Sequence, residues 1–167
     1  MVLENFMIWS QNFIGQFGYL AVLIIGVISN AGIFFQIPTP IAISLGIGFG
    51  LHPLLVGISA GLGFGTGQMV GYLVGFGGEA VLQKYKKNPK RIKRLENLLK
   101  RFGFWFVLVY SALPIKPIPF DILGVLAGFS KYDIKKFYLA VTIGYVLTSV
   151  VMSYSIFYGW EFLRSFV

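Results

Sequence analysis

The chain has 167 residues, of which 56% are hydrophobic and only 12% charged, against about 25% charged in ordinary soluble domains. It has no cysteine and one histidine, His52, which excludes disulfides, thiolate metal sites and a histidine-based metal cluster. The formal charge of +8 does not point to nucleic acid, because nine of the fourteen Lys and Arg lie between Lys84 and Arg101 and three more are Lys131, Lys135 and Lys136; basic clusters beside apolar segments mark the cytoplasmic flanks of membrane helices.

The N-terminal "MVLENFMIWSQNF" lacks a basic n-region and an A-x-A site, so it reads as mature sequence. Phe6, Trp9 and Phe13 share helical spacing, which predicts an interfacial helix with an aromatic anchor. Residues 17–35 are apolar and long enough to predict a first span. Pro38 and Pro40 then interrupt, and "IAISLGIGFG" is too short to cross a core about 30 Å thick. Pro53 suits the first turn of a helix, and 54–78 predicts a second span, whose Gly57, Gly61 and Gly65 suit close helix packing.

Asn88-Pro89 is a helix start, with Asn as cap and Pro in the first turn. Over 88–101, Ile92, Leu95, Leu98 and Leu99, with Phe102 beyond, share one face. Lys90, Lys93, Arg94, Lys100 and Arg101 share the other, predicting a basic amphipathic helix on the membrane surface. Residues 103–129 follow as two apolar arms around "SALPIKPIPFD", neither arm long enough to span. If this run crossed, Lys131, Lys135 and Lys136 would sit opposite the Lys84–Arg101 cluster. If it turns back, both clusters share one side, as the positive-inside rule prefers. It therefore reads as a re-entrant hairpin from the cytoplasm, and 36–52 as a second one from outside. Residues 137–158 make the last span.

The expectation is one all-α integral membrane domain over 1–167, in a cell membrane, multi-pass, with the basic loop cytoplasmic. It has three transmembrane helices, two opposed re-entrant hairpins and a basic surface helix. The halves also resemble each other. "FGYLAVLIIG" from Phe17 resembles "FGFWFVLVY" from Phe102, and "PTPIAISLGIGFG" from Pro38 resembles "PIPFDILGVLAGF" from Pro117. Paired Gly/Pro-interrupted segments at matching positions point to a site between inverted repeats.

Irregular backbone at membrane depth is tolerated only beside protein or a water-filled cavity. Pro38, Pro40, Pro114, Pro117 and Pro119 therefore predict a polar cavity at the hairpin tips. Lys116 and Asp121 are ionisable groups at that depth, costing roughly 2.5–3.5 kcal/mol each, and are candidate site residues by that fact alone. Lys116 can meet a lipid phosphate as a point charge, and Asp121 can pair with it or take a proton. Gln68 and Tyr72, four apart, share a face of the second span and could line the same cavity. The structural alternatives are a buried Lys116–Asp121 pair, a packing Tyr72 and an interhelical Gln68. With six acids and one histidine no nucleophile, base or metal constellation can be assembled, so no enzyme activity, metal or cofactor is expected.

Two motifs carry a family resemblance. "GTGQMVGYLVG", Gly65 to Gly75, resembles the G-D-x-x-x-Y-x-x-G pattern of DedA, or VTT-domain, proteins at Gly67, Tyr72 and Gly75. "RFGFWFVLVYSALPIKPIPFDILGVLAGFSKYDIKKF" resembles their second signature at Pro114, Pro117, Pro119, Phe120, Asp121, Ala127, Gly128 and Phe137. The resemblance covers about Phe17 to Trp160. The family often has aspartate where Gln68 stands, a glutamate near Ser29 or Asn30, a further acid near Thr39–Pro40, and arginines at Ser111 and near Pro117. The resemblance implies membrane lipid handling: flippase- or scramblase-like movement of polyprenyl-phosphate carriers or phospholipids. Anionic lipids would be the partners; a homo-oligomer stays open. The alternatives are a structural or partner-binding membrane protein and a small ion-coupled transporter.

Overall fold

The computed structural model describes Ile8 and residues 17–31, 39–77, 89–113 and 121–164. Among these are six α-helices and no strand: α1 Tyr19–Ala31, α2 Thr39–Gly48, α3 Pro53–Phe76, α4 Pro89–Ala112, α5 Asp121–Phe129 and α6 Ile134–Arg164. The helix expected around Phe6, Trp9 and Phe13 lies outside the described residues.

Two helices form the frame. α3 has 24 residues and α6 an apolar stretch of 26, Ile134–Gly159. At 1.5 Å per residue each is long enough for a core about 30 Å thick. Pro53 opens α3 where its missing N–H costs nothing, after an extended His52. Asp133 opens α6, its carboxylate accepting the Lys136 N–H at 2.9 Å. The two helices cross antiparallel. Gly57, Gly61 and Gly65 face Val150, Val146 and Thr142 so closely that a Cβ at any of them would collide with α6. The missing side chains let two backbones approach, as their spacing predicts.

The other four helices are shorter or broken. α1 has 13 residues, about 20 Å, too short to cross alone. It runs parallel to α3: the Tyr19 hydroxyl accepts the His52 N–H at 3.1 Å, Gly26 packs on Ala60 and Gly63, and Val27, Asn30 and Ala31 lie on Gly67. α2 returns to the starting end, where Gly46 lies against Val22 and Val56. The expectation that 17–35 crosses the membrane and 54–78 returns needs α1 and α3 to run oppositely. They run the same way, so three expected spans become two of spanning length among the described residues.

α4 is broken at Gly103 (φ 45, ψ −114), where the basic surface helix was expected to give way to an apolar arm. Lys93, Arg94, Lys100 and Arg101 are exposed and Leu99 is buried, so the charged face turns outward. After the break, Phe104–Ala112 runs parallel to α6: Gly103 lies against the Tyr132 ring, and Leu108 and Ser111 lie on Gly144. α5 returns along α3, with Gly124 on Gln68 and Gly128 on the backbone at Tyr72 and Phe76.

The two halves share local geometry. Gly18 (φ 56) and Gly103 (φ 45) open the inbound arms. A Cβ at Gly63 would strike the Leu23 carbonyl and Gly26; one at Gly144 would strike the Leu108 carbonyl and Ser111. α2 ends with Gly50 N–H on Ile47 O and Leu51 N–H on Gly46 O, and α5 ends with Lys131 N–H on Gly128 O and Tyr132 N–H on Ala127 O. Both are Schellman caps around a left-handed residue, Gly50 (φ 75) and Lys131 (φ 49). These caps align Gly50 with Lys131, two positions from the register that matches the two P-x-P motifs to each other.

The interior holds Val22, Ile25, Ile43, Val56, Phe64, Val107, Leu126, Phe137 and Val141. The outside is as apolar: Leu73, Trp105, Val109, Leu147 and Val151 are all more than half exposed. A water-soluble monomer rarely shows so much contiguous apolar surface.

Candidate functional site

α4 stops at Ala112, part-way along the α3–α6 pair, and polar side chains gather near that end and near the last described turn of α1. Asn30, one residue before the end of α1, donates from Nδ2 to the Phe64 carbonyl at 2.6 Å and to the Tyr145 hydroxyl at 3.0 Å. One amide thus ties α1 to both long helices. Tyr145 is buried, its ring 5.7 Å from that of Phe64. Next to it Ser29 turns its hydroxyl back to Ile25 O at 2.6 Å, satisfying itself within its own helix.

The end of α4 mirrors this with different chemistry. Ser111 is fully buried, its hydroxyl 2.7 Å from Val107 O and 3.0 Å from Leu108 O. Thr148 of α6 shares its proton between Gly144 O at 3.1 Å and Ser111 O at 3.2 Å. The Ser111 carbonyl belongs to the last turn of α4, where helix carbonyls lack partners, so Thr148 caps that end. Beside it Ala112, Leu147, Thr148 and Val151 line a crevice of about 110 Å³.

Of the residues singled out from sequence, Pro38, Pro114, Lys116, Pro117 and Pro119 lie outside the described residues. Their segments are bracketed by described ends, Ala31 to Thr39 and Leu113 to Asp121. Pro40 lies exposed in the first turn of α2. Asp121 is the first residue of α5; its side chain is outside the description. Gln68 is buried beneath Gly124, within a turn of that helix start. Tyr72 is further along: its hydroxyl donates to Tyr132 O at 2.5 Å and its ring lies tilted by 34° against that of Phe137 at 5.3 Å. It thereby fixes the turn between α5 and α6. Gln68 and Tyr72 share a face, and that face is covered by α5. Asn30, Ser111, Tyr145 and Thr148 were not singled out as site residues. The available signal was a polar residue within or ending an apolar run.

The far end of α3, where α4 bends and α6 begins, is strongly basic. Lys93, Arg94, Lys100, Arg101, Lys131, Lys135 and Lys136 are exposed. Of the acids there, Glu96 pairs with Lys100 at 2.7 Å, and Asp133 is engaged as a cap. The Lys136 N–H holds the Asp133 carboxyl below the usual carboxylate range, helped by the Lys135 N–H and the charges of both lysines and opposed by slight desolvation. Burial, and then the Asp133 charge, push the Tyr132 phenol up. Arg101 sits 5.2 Å over the Phe102 ring, placing a cation and an aromatic together at the bend. At the other end lie Tyr19, His52 and Glu161, with Ser153 donating to Pro53 O at 2.8 Å.

No curated protein and no solved structure matches the chain. The sequence model of the VTT domain family matches residues 37–158, a stretch running from the last residues before α2 through α6 and containing both long helices. Two helices of spanning length, an apolar exterior and this match identify the chain as a membrane protein of the VTT domain family.

Proposed function

We propose that the chain is a lipid translocator, moving an anionic phospholipid or polyprenyl-phosphate headgroup across the bilayer while the tails stay in it. In this reading α3 and α6 are the two spans. The pair α1–α2 and the pair formed by the second part of α4 with α5 are re-entrant hairpins from opposite faces, related as inverted repeats. The basic end is cytoplasmic by the positive-inside rule.

The observation that carries the reading is the direction of the short helices. One pair starts and ends beside Tyr19 and His52. The other starts and ends beside Tyr132, at the opposite end of α3. Each pair therefore starts and ends at one end of α3, and its connecting segment carries proline, Pro38 in one and Pro114, Pro117 and Pro119 in the other; irregular backbone at membrane depth needs a protein or aqueous lining. Half-buried Asn30 and buried Gln68, Ser111 and Thr148 supply polar groups between the ends of the long helices. The matching caps and glycine contacts of the two halves support the repeat. The exposed lysines and arginines would gather anionic lipid at the cytoplasmic mouth, contributing about 1 kcal/mol per basic residue near the surface.

The test is headgroup accessibility in proteoliposomes, using a fluorescent phospholipid and, separately, a polyprenyl phosphate. Transfer by the wild type, lost in a folded Lys116→Ala variant, is the expected result. Transfer of neither lipid under any pH or ion gradient would favour a partner-binding membrane protein. Transfer unaffected by Lys116→Ala would move the headgroup site elsewhere.

A further inference from the structure

The two halves differ at one equivalent place, and the difference leaves a space. Where Gly63 and Gly144 correspond, Gly67 corresponds to Thr148, and the arm residues Leu23, Gly26 and Val27 correspond to Leu108, Ser111 and Ala112. In the first half α1 closes onto Gly67. A Cβ there would meet the Val27 carbonyl, the Ala31 nitrogen and the Asn30 Cβ. In the second half Thr148 stands at that position with a side chain, and its hydroxyl reaches the Ser111 carbonyl at 3.2 Å. The arm stops there, and the crevice of about 110 Å³ opens between Ala112, Leu147, Thr148 and Val151. Among the described residues of the first half, α1 packs directly on Gly67 at that place.

What the crevice can hold follows from its walls. Leu147 is 52% and Val151 65% exposed, so on a spanning α6 they face hydrocarbon and the crevice opens sideways into the bilayer. Among the described lining residues the polar side chain is Thr148, whose hydroxyl is already within reach of two helix carbonyls. None of these described residues carries a charge. Its volume approaches the ~150 Å³ of apolar cavities that stay dry and bind benzene-sized molecules. Ala112 is followed, after Leu113, by the 114–120 segment that carries Lys116.

We propose that this crevice seats an acyl or prenyl chain of the translocated lipid. It makes the second half the lateral portal of the protein. The proposal rests on the translocator reading and names where the tail of that substrate lies. Gly67 seals the first half, and Thr148 props the second open.

The experiment uses the full chain in phosphatidylcholine vesicles containing phosphatidylglycerol with a photoactivatable diazirine in one acyl chain. Crosslinked peptides are mapped by mass spectrometry, and headgroup transfer is measured on the same preparation. The expected result is labelling at Leu147–Val151 several-fold above that at Leu73 and Val109, which are equally lipid-exposed. Ala112→Phe, which fills the crevice from inside, should abolish the enrichment. Val151→Trp, a lipid-facing change that spares the interior, should do so as well. Leu62→Phe, on the exposed side of α3, should leave it intact. Even labelling around the lipid-facing positions, or enrichment that survives both filling variants, would overturn the proposal. Transfer without enriched labelling removes the tail seat alone. Enriched labelling without transfer removes the translocator reading and leaves a lipid-binding crevice.

Discussion

The first half of the molecule and the second half use one backbone plan for different chemistry. Both begin with a left-handed glycine, Gly18 or Gly103, send an arm along a long helix, and return to a Schellman cap. The first half is nearly free of charge and closes with glycine at every tight point: Gly26, Gly50, Gly63 and Gly67. The second half puts Ser111 where Gly26 stands, Lys131 where Gly50 stands and Thr148 where Gly67 stands. It also carries Lys116 and Asp121. In the proposed reading the likeness of the arms sets the topology, because two arms of the same geometry on antiparallel helices come from opposite ends. Function is left to the positions where the copies diverge.

The largest effects should come where the halves agree. Gly63→Val and Gly144→Val each drive a side chain into a backbone carbonyl, Leu23 or Leu108. Overpacking of this kind costs about 1–3 kcal/mol, occasionally more. Thermal unfolding in detergent should show both variants strongly and comparably destabilised, while Gly48→Ala, which meets nothing within 4 Å, should stay close to wild type. A large effect in one half only would break the equivalence.

Next is the amide that only the first half has. Asn30→Leu removes the bonds to Phe64 O and the Tyr145 hydroxyl, and loss of a buried partner costs about 1–3 kcal/mol. Tyr145→Phe removes only one of the two bonds, so it should cost less in the same unfolding measurement. Equal costs would place the stabilisation in the tyrosine.

The caps give a smaller and opposite pair. Lys131 holds a left-handed backbone that costs an L-residue roughly 1–2 kcal/mol, so Lys131→Gly should stabilise by up to that amount. Gly50→Ala should destabilise similarly.

The smallest effect is a pH dependence of the second half. The Asp133 carboxyl lies below its ordinary value when folded, so its contribution is present above about pH 4, the usual aspartate range, and fades as pH falls through the lower folded value. Asp133→Asn should flatten that part of the stability–pH curve. His52, the residue at the matching position, offers no carboxylate and hence no such term.

The long helices, the bend at Gly103, the basic face of α4 and the glycine seam were all legible in the sequence, because each rests on local periodicity or a local backbone requirement. The direction of α1 was not. Residues 17–35 are apolar throughout, and nothing local separates a helix that crosses from one that reverses. The contacts that decide it, Tyr19 with His52 and Asn30 with Phe64 and Tyr145, join residues far apart in the chain. The likeness of the halves was visible, but the register of the P-x-P motifs lies two positions from that of the two caps, since proline marks a break without fixing which residue starts the helix. Gln68 and Tyr72 share a face as their spacing requires, yet Tyr72 braces a turn, because only the fold shows that Tyr132 lies opposite its hydroxyl.

The most direct test of the two opposed halves is the sidedness of their ends. The chain has no cysteine, so Phe17→Cys, His52→Cys and Lys135→Cys can be introduced singly and labelled with a membrane-impermeant maleimide in sealed vesicles. The account predicts that Phe17→Cys and His52→Cys react from one face and Lys135→Cys from the other. Phe17→Cys reacting from the Lys135 face would mean that α1 crosses the bilayer, and would contradict the opposed-hairpin arrangement on which the translocator rests.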